Sequence, residues 1–399
     1  MELCTTTRPP LPSLSLNLDL DVTKRLADLR AWRAAWEAED RRLQQQIASL
    51  DPKRRSDVFL GSQIGSLRRA LCLELTQAPI SLDPEEAQRI GWTRLRHHLA
   101  PQYAHLDLAD RQLWLANLSF LLTPTLRMLV TKLDAIRRYR SLGQARCFLL
   151  GGVSGAGKTS ALNWYAFQYL PTVEAIRNHV PVIKIDAPVS NRSPKPLFLR
   201  MLKACGAAPL RGDEEHYLEL LELYFQRCGV ELLIVDEVEH ITQPALRRRL
   251  LELSNLTGVP IVCASCNPIA WTSGDAEIQG RWNDYFELTQ FTGARLDAFL
   301  TLLDLLLPFE EDSRLGLREI VDAQGHPIAA GPAHYIEEWT DGILREIMVL
   351  LLDACLKALA TGRACLSVEL LEQAWRDIKR AKVVNFLDLL RAQTGGSHA

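Results

Sequence analysis

The segment Gly152-Val153-Ser154-Gly155-Ala156-Gly157-Lys158-Thr159, with Ser160 behind it, collects residue types suited to holding phosphate. Glycines let backbone N–H groups turn inward around phosphate oxygens. A helix that begins at Lys158 adds a partial positive charge at its N-terminus. The Lys158 ammonium can reach the β- and γ-phosphates of a nucleoside triphosphate, and the Thr159 hydroxyl can ligate Mg2+. This is the P-loop pattern. It assigns Gly152, Ser154, Gly155, Ala156, Gly157, Lys158, Thr159 and Ser160 to ATP binding, with Thr159 also on the metal. The alternative is a plain glycine-rich turn, and the full pattern between an apolar run and a helical segment argues against it.

Four further groups can act on a phosphate held there. Glu231-Leu232-Leu233-Ile234-Val235-Asp236-Glu237 delivers two carboxylates to the end of an apolar run. In an open α/β sheet, ligands bind at the C-terminal ends of the strands. Asp236 can hold Mg2+ there, and Glu237 can polarise a water against the γ-phosphate. Glu239 is less suited, being directed away from Glu237. Asn267 follows the apolar run 259–265 and can hydrogen-bond the attacking water or the γ-phosphate; its other reading is an Asn-Pro turn starter. Arg281 can reach the γ-phosphate of a neighbouring subunit, or else is a solvated or structural arginine beside Trp282. Arg345, just after Asp341-Gly342, can project from the first turn of a helix toward the nucleotide, or lie free on its surface.

These residues need an α/β scaffold. Cys147–Leu150, Val180–Asp186, Glu231–Asp236 and Val259–Ser265 are short apolar runs typical of buried parallel strands. Between them lie segments long enough for crossover helices. The N-terminal part is helical instead. Val22, Leu26, Leu29, Trp32, Trp36, Leu43, Ile47 and Leu50 recur at helical spacing, and Asp51-Pro52 ends that helix. Residues 56–142 read as further helices broken near Pro79, Pro84 and Pro101, and helices are expected again at 313–321, 341–360 and 367–391. The predicted organisation is an extended tail (1–20), a helical region (21–119), an α/β nucleotide-binding domain (120–308) and a small helical lid with a C-terminal tail (309–399).

Composition limits the function further. The chain has 399 residues, 46 Lys+Arg against 48 Asp+Glu and 47% apolar residues, which excludes a disordered chain. Its net charge of −2 excludes a globally polybasic protein, so contact with nucleic acid must use local patches. No run is long and apolar enough to span a membrane, and no secretory signal opens the chain. Nine cysteines, mostly within apolar segments, fit reduced thiols in the cytoplasm. Cys263 and Cys266 form a lone CxxC, short of the four ligands of a structural zinc site.

In their order along the chain, the five groups resemble the Walker A, Walker B, sensor 1, arginine-finger and sensor 2 elements of AAA+ ATPases. Within that class the chain resembles the TniB/TnsC transposition ATPases over about residues 120–375. The resemblance is carried by the lead-in helix at 120–139, the strand, polar loop and helix at 180–209, the block at 221–241 and the lid at 339–374. The family often has Gly-Thr near sensor 1, where this chain has Ala264-Ser265-Cys266-Asn267. The resemblance implies a bacterial, cytoplasmic ATPase that assembles with ATP and Mg2+ as a ring or helical filament on double-stranded DNA. It also implies two partners, a TniQ-like target selector and a DDE transposase.

The polar loop at 188–196 offers Asn191, Arg192, Ser193 and Lys195 for phosphate contacts that read no bases. Arg247-Arg248-Arg249 and the cluster Arg376, Lys379, Arg380 and Lys382 are further basic groups, better read as solvated faces. Two other functions share such a core. A replication initiator or helicase loader would carry a winged-helix domain after the lid, and a signalling NTPase would carry downstream repeats; neither is expected in the residues after Arg345.

Overall fold

The computed structural model describes residues 14–15, 18–49, 80–81, 90–117, 121–142, 146–169, 171–173, 178–189, 193–207 and 211–394. In chain order the helices used below are α1 (Val22–Ser49), α2 (Trp92–Ala104), α3 (Leu108–Asn117), α4 (Pro124–Arg138), α5 (Lys158–Phe167), α6 (Lys195–Ala204), α7 (Glu214–Arg227), α8 (Pro244–Thr257), α9 (Pro268–Thr272), α10 (Ala276–Arg281), α11 (Gly293–Leu306), α12 (Pro332–Thr340), α13 (Leu344–Ala360) and α14 (Val368–Thr394). The strands are β1 (Cys147–Gly151), β2 (Val182–Asp186), β3 (Leu232–Asp236), β4 (Ile261–Ala264), β5 (Asp284–Glu287), β6 (Glu319–Val321) and β7 (Pro327–Ala330). The described residues divide into two compact units, those within 1–15, 27–83 and 120–289, and those within 16–26, 84–119 and 290–399.

The first unit is built on a five-stranded sheet of order β5-β1-β4-β3-β2, with every neighbouring pair parallel. Alternation along the strands feeds two apolar layers. Phe148, Leu150, Val182, Ile234 and Val262 pack with Leu129 and Leu133 of α4 and with Ala161, Leu162 and Tyr165 of α5. Leu149, Ile183, Leu233, Val235 and Ile261 pack on the other face with Leu197 and Phe198 of α6, Leu221 and Phe225 of α7 and Leu250 of α8. The buried faces of β1, β3 and β4 explain their unbroken apolar runs. The four strands read from sequence form, with shorter bounds at β2, β3 and β4. The fifth, β5, has the pattern Asp-Tyr-Phe-Glu and lies at the sheet edge, half-buried, without the apolar run that marks the others.

The second unit joins α2 and α3 to α11–α14. Arg96 in α2 donates to the carbonyls of Asp304 (2.9 Å), Phe309 (3.1 Å) and Glu311. Trp114 Nε1 and Tyr103 Oη donate to the carbonyls of Leu306 (2.7 Å) and Leu305 (3.1 Å). These bonds anchor α2 and α3 on the C-terminal end of α11; the division between the compact units falls at 119/120, as the expected boundary does, and again at 289/290. Helix α1 starts as predicted, with Asp21 Oδ1 accepting from Lys24 N at 2.8 Å.

Two sequence expectations fail here. Pro101 does not end a helix but lies within α2, where burial of Leu95, Leu99 and Tyr103 offsets the lost backbone bond. Residues 313–321 are not helical. The buried Asp304 carboxylate accepts from Ser313 N (3.3 Å) and Leu315 N (3.2 Å), diverting donors that a helix would use, and the chain continues into the β6–β7 hairpin. The breaks expected at Asp51-Pro52, Pro79 and Pro84 lie outside the described residues, as do the side chains of Trp32 and Trp36.

Candidate nucleotide site

β1 runs into the glycine loop, and α5 starts where the loop ends. Gly157 caps α5 in the left-handed region (φ 96°). Gly152 has φ 143°, and a Cβ there would stand 2.5 Å from the Leu288 carbonyl oxygen, so only glycine fits. Lys158 is buried, and its ammonium turns back over the loop to donate to the carbonyls of Gly152 (2.5 Å) and Val153 (3.1 Å). Thr159 and Ser160 are exposed on the first turn of α5, and Ser154 is exposed in the loop. Arriving phosphate oxygens would meet a fixed cation, a helix N-terminus and inward-turning N–H groups in one concavity.

β3 brings the acidic pair to the same C-terminal edge of the sheet. Asp236 is 1% exposed, and its Oδ1 accepts from Glu237 N at 2.9 Å. Its Oδ2 is buried without a hydrogen-bond donor, and Lys184 Nζ stands 3.5 Å away. An anionic oxygen left unbonded in the interior is costly, which suits a carboxylate waiting for a divalent cation. Asp236 and the Thr159 hydroxyl are hard oxygen donors of the kind Mg2+ takes, so these residues fit that metal. Glu237 differs from Asp236. It is exposed, sits in the left-handed region (φ 56°) and lies 3.7 Å from His240. A non-glycine residue held there stores backbone strain, which recurs at working positions.

β4 ends at Ala264, beside β1 and β3. Ser265, fully buried, accepts from Asn267 N through its Oγ at 3.0 Å. Asn267 is the N-cap of α9, with Oδ1 accepting from Ala270 N at 3.1 Å. The residue at this strand end that reaches the acidic turn is Cys266, whose thiol donates to Glu239 Oε1 at 3.1 Å. Cys263 is buried in β4, and burial pushes its thiol well up; among the described residues no group of three or more His, Cys, Asp or Glu side chains could hold a metal ion.

The remaining candidates divide by surroundings. Arg281 ends α10, is exposed and makes no hydrogen bond or ion pair among the described residues. Arg345 belongs to the second unit, where it is 60% exposed and 3.6 Å from Glu346. Asn191 and Arg192 lie outside the described residues. Ser193 is half-buried, and Lys195 is exposed at the start of α6 with its ammonium 5.7 Å from the Tyr217 ring. The Arg247–Arg249 run is structural. Arg247 donates to the carbonyls of Ile241 and Trp271, Arg248 pairs with Asp275 (2.8 Å), and Arg249 pairs with Glu215 (2.6 Å) and Glu252 (2.7 Å). Sequence reasoning missed Lys184 and Cys266 as neighbours of the acidic turn. A lysine inside the apolar run of β2 was the available signal for the first.

The AAA domain family model matches residues 140–270, which span β1 to α9. Over that span the chain is similar to AAA domains. No curated protein matches the sequence. Among solved structures, the Aeropyrum pernix ORC1 protein in complex with DNA is 15% identical, with 66% of this chain and 68% of that one covered and a TM-score of 0.44. Cdc6p from Pyrobaculum aerophilum is 16% identical, with 61% and 64% covered and a TM-score of 0.43. The ADP form of the Aeropyrum pernix ORC2 protein is 17% identical, with 62% and 67% covered and a TM-score of 0.41. The aligned part of this chain spans about two thirds of the length of each of these structures.

Proposed function

We propose that the protein is an ATP-hydrolysing regulator of DNA transposition, which oligomerises on duplex DNA and links a TniQ-like target selector to a DDE transposase. The observation that carries the ATPase reading is one edge of the sheet. There the Lys158 ammonium covers the glycine loop, while the next but one strand presents Asp236 with an unbonded buried oxygen. The transposition reading rests on the resemblance of residues 120–375 to TniB/TnsC ATPases.

In this reading ATP draws Lys158 from the loop carbonyls onto the β- and γ-phosphates. Thr159 and Asp236 hold Mg2+, which when bound neutralises phosphate charge. Glu237, free to turn on its exposed left-handed corner, orients the attacking water and takes its proton. Arg281, exposed and without a hydrogen bond or ion pair among the described residues, acts on the nucleotide of a neighbouring subunit, and Arg345 on the nucleotide from the lid. Hydrolysis then releases the assembly from DNA.

DNA is held by Asn191, Arg192, Ser193 and Lys195, in the stretch of sequence between β2 and the first residue of α6. The charge balance of −2 makes each subunit a weak binder, and ATP-driven assembly multiplies the contacts along one duplex. Each neutralised phosphate steepens the salt dependence of affinity by roughly 0.9 log units per log unit of salt. The test is a titration of labelled duplexes of two unrelated sequences, at several salt concentrations, with and without ATP. Equal affinities that rise with ATP, and a flatter salt slope in the Arg192→Ala/Lys195→Ala double variant, are expected. An unchanged slope moves the DNA site elsewhere, and a strong preference for one sequence favours an initiator.

A further inference from the structure

Lys184 is a charged residue between the apolar Ile183 and Ile185 of β2, and its surroundings make it more than a packing element. Its side chain is only 9% exposed. The parallel register sets Lys184 against Ile234 and Asp186 against Asp236. Lys184, Asp186 and Asp236 therefore project from one face of the sheet, the face that carries Val182, Ile234 and the apolar side of α5. Helix α5, which begins with Lys158 and Thr159, packs on β2 itself.

The Lys184 ammonium has two anionic neighbours. It lies 3.5 Å from Asp236 Oδ2 and hydrogen-bonds Asp186 Oδ1. The two carboxylates differ in setting. Asp236 is 1% exposed, whereas the Asp186 side chain is 56% exposed. A buried carboxylate with one oxygen unbonded needs a cation nearby, and Lys184 supplies it. A divalent ion arriving at that oxygen would bring like charge against the ammonium. Asp186, already in hydrogen-bond contact and open to solvent, offers the ammonium a place to go.

We propose that Lys184 is the resident counter-ion of Asp236, handing this carboxylate to Mg2+ by shifting onto Asp186, so that Lys184 and Asp186 together set how strongly nucleotide binding depends on the metal. Lys184 is a positioning residue in this scheme. The inference rests on the reading of the P-loop edge as an ATP site. Lys184→Met removes the competitor of the metal and should make nucleotide binding more metal-dependent. Asp186→Asn removes the alternative partner, commits the ammonium to Asp236 and should make binding less metal-dependent. Opposite signs from two neighbouring substitutions are not expected of a merely structural lysine.

The experiment titrates a fluorescent ATP analogue into the full chain in excess EDTA and in millimolar Mg2+, and reads the ratio of the two dissociation constants. Lys184→Met should raise that ratio about tenfold, the scale of one screened unit charge near the metal. Asp186→Asn should lower it several-fold, and Lys184→Arg, which keeps the charge, should stay near the parent value. Unchanged ratios in Lys184→Met and Asp186→Asn, or shifts of the same sign, overturn the proposal while leaving the ATP site standing. If Lys184→Met does not fold, the exposed Asp186→Asn position decides alone, and an unchanged ratio there overturns it. Analogue binding that Lys158→Ala leaves intact in both conditions overturns the ATP-site reading, and this proposal with it.

Discussion

Cys266 Sγ donates a hydrogen bond to Glu239 Oε1 over 3.1 Å, tying the turn after β4 to the turn after β3. The other Glu239 oxygen is buried without a hydrogen-bond partner. The carboxylate acceptor, with burial second, pushes the exposed Cys266 thiol up from its ordinary value. The thiol therefore keeps its proton to higher pH than a free cysteine, and only the thiolate reacts. Iodoacetamide labelling at pH 8, followed at the Cys266 peptide by mass spectrometry, should be slow in the parent protein. Glu239→Gln removes the charge that holds the proton, and labelling should quicken by roughly 3–10-fold. Equal rates in the two proteins would mean that the thiol does not sense Glu239.

Lys158 and Glu237 should separate binding from turnover. Lys158→Ala removes a cation able to make two charge-assisted bonds to phosphate. At ~1.5–3 kcal/mol each, ATP affinity should fall by at least roughly 100-fold. Glu237→Gln leaves Lys158 and Asp236 in place, so ATP should still bind while turnover drops by roughly 10²–10⁴. Glu237→Gly relieves the left-handed strain at φ 56° and should raise stability by about 1 kcal/mol while abolishing turnover. Calorimetric nucleotide titration, a phosphate-release assay and thermal melts measure these effects. Loss of ATP binding in Glu237→Gln would remove Glu237 from the role of base.

Asp304 makes the second unit sensitive to pH. Burial, with the neighbouring Asp312 second, raises its carboxyl to about 7, while the hydrogen bond from Asp304 holds Asp312 below its ordinary value. A raised carboxyl keeps its proton in the folded state when the unfolded chain has released it. Stability from Asp304 is therefore full below about pH 4 and is lost as pH rises toward 7. Asp312 contributes with the opposite sign, losing stability as pH falls below its unfolded value. Asp304→Asn cannot ionise and should flatten the loss between pH 4 and 7 in urea-unfolding midpoints. A parallel curve in variant and parent would exclude Asp304 as its source.

Much of the candidate nucleotide site was legible because it is local. The P-loop occupies eight consecutive residues, and Asp236–Glu237 close one apolar run; strands buried on both faces announce themselves as Phe148–Leu150 and Leu232–Val235 do. What escaped depends on distant partners. β5 is an edge strand, so only alternate residues are covered. The hairpin at 319–330 follows from Asp304 capturing the N–H groups of Ser313 and Leu315. Pro101 sits in a helix because Leu95, Leu99 and Tyr103 bury its far face. The pairing of Lys184 with Asp236 needs the β2–β3 register, which no single segment contains. Asn267, whose local reading was an Asn-Pro turn starter, uses its side-chain oxygen in the fold to cap α9.

Arg281 should act across subunits. Arg281→Ala is expected to keep nucleotide binding but lose hydrolysis and oligomer formation. Mixed with Lys158→Ala protein, it should recover part of the activity, because an interface formed by one of each can hold an intact P-loop facing an intact arginine. Phosphate release across a series of mixing ratios reads this directly. A flat response, with co-assembly shown by crosslinking, would make Arg281 structural.

ATP-driven assembly on DNA is the central claim, and electron microscopy of the protein with duplex DNA tests it most directly. Particles would be compared without nucleotide, with ATP, with a slowly hydrolysed analogue and for Glu237→Gln with ATP. The account predicts bare duplex without nucleotide, and rings or helical filaments around the duplex with the analogue or with Glu237→Gln. With ATP the parent protein should show fewer and shorter assemblies, as hydrolysis releases them. Monomers under every condition, or assemblies indifferent to nucleotide and to DNA, would contradict it.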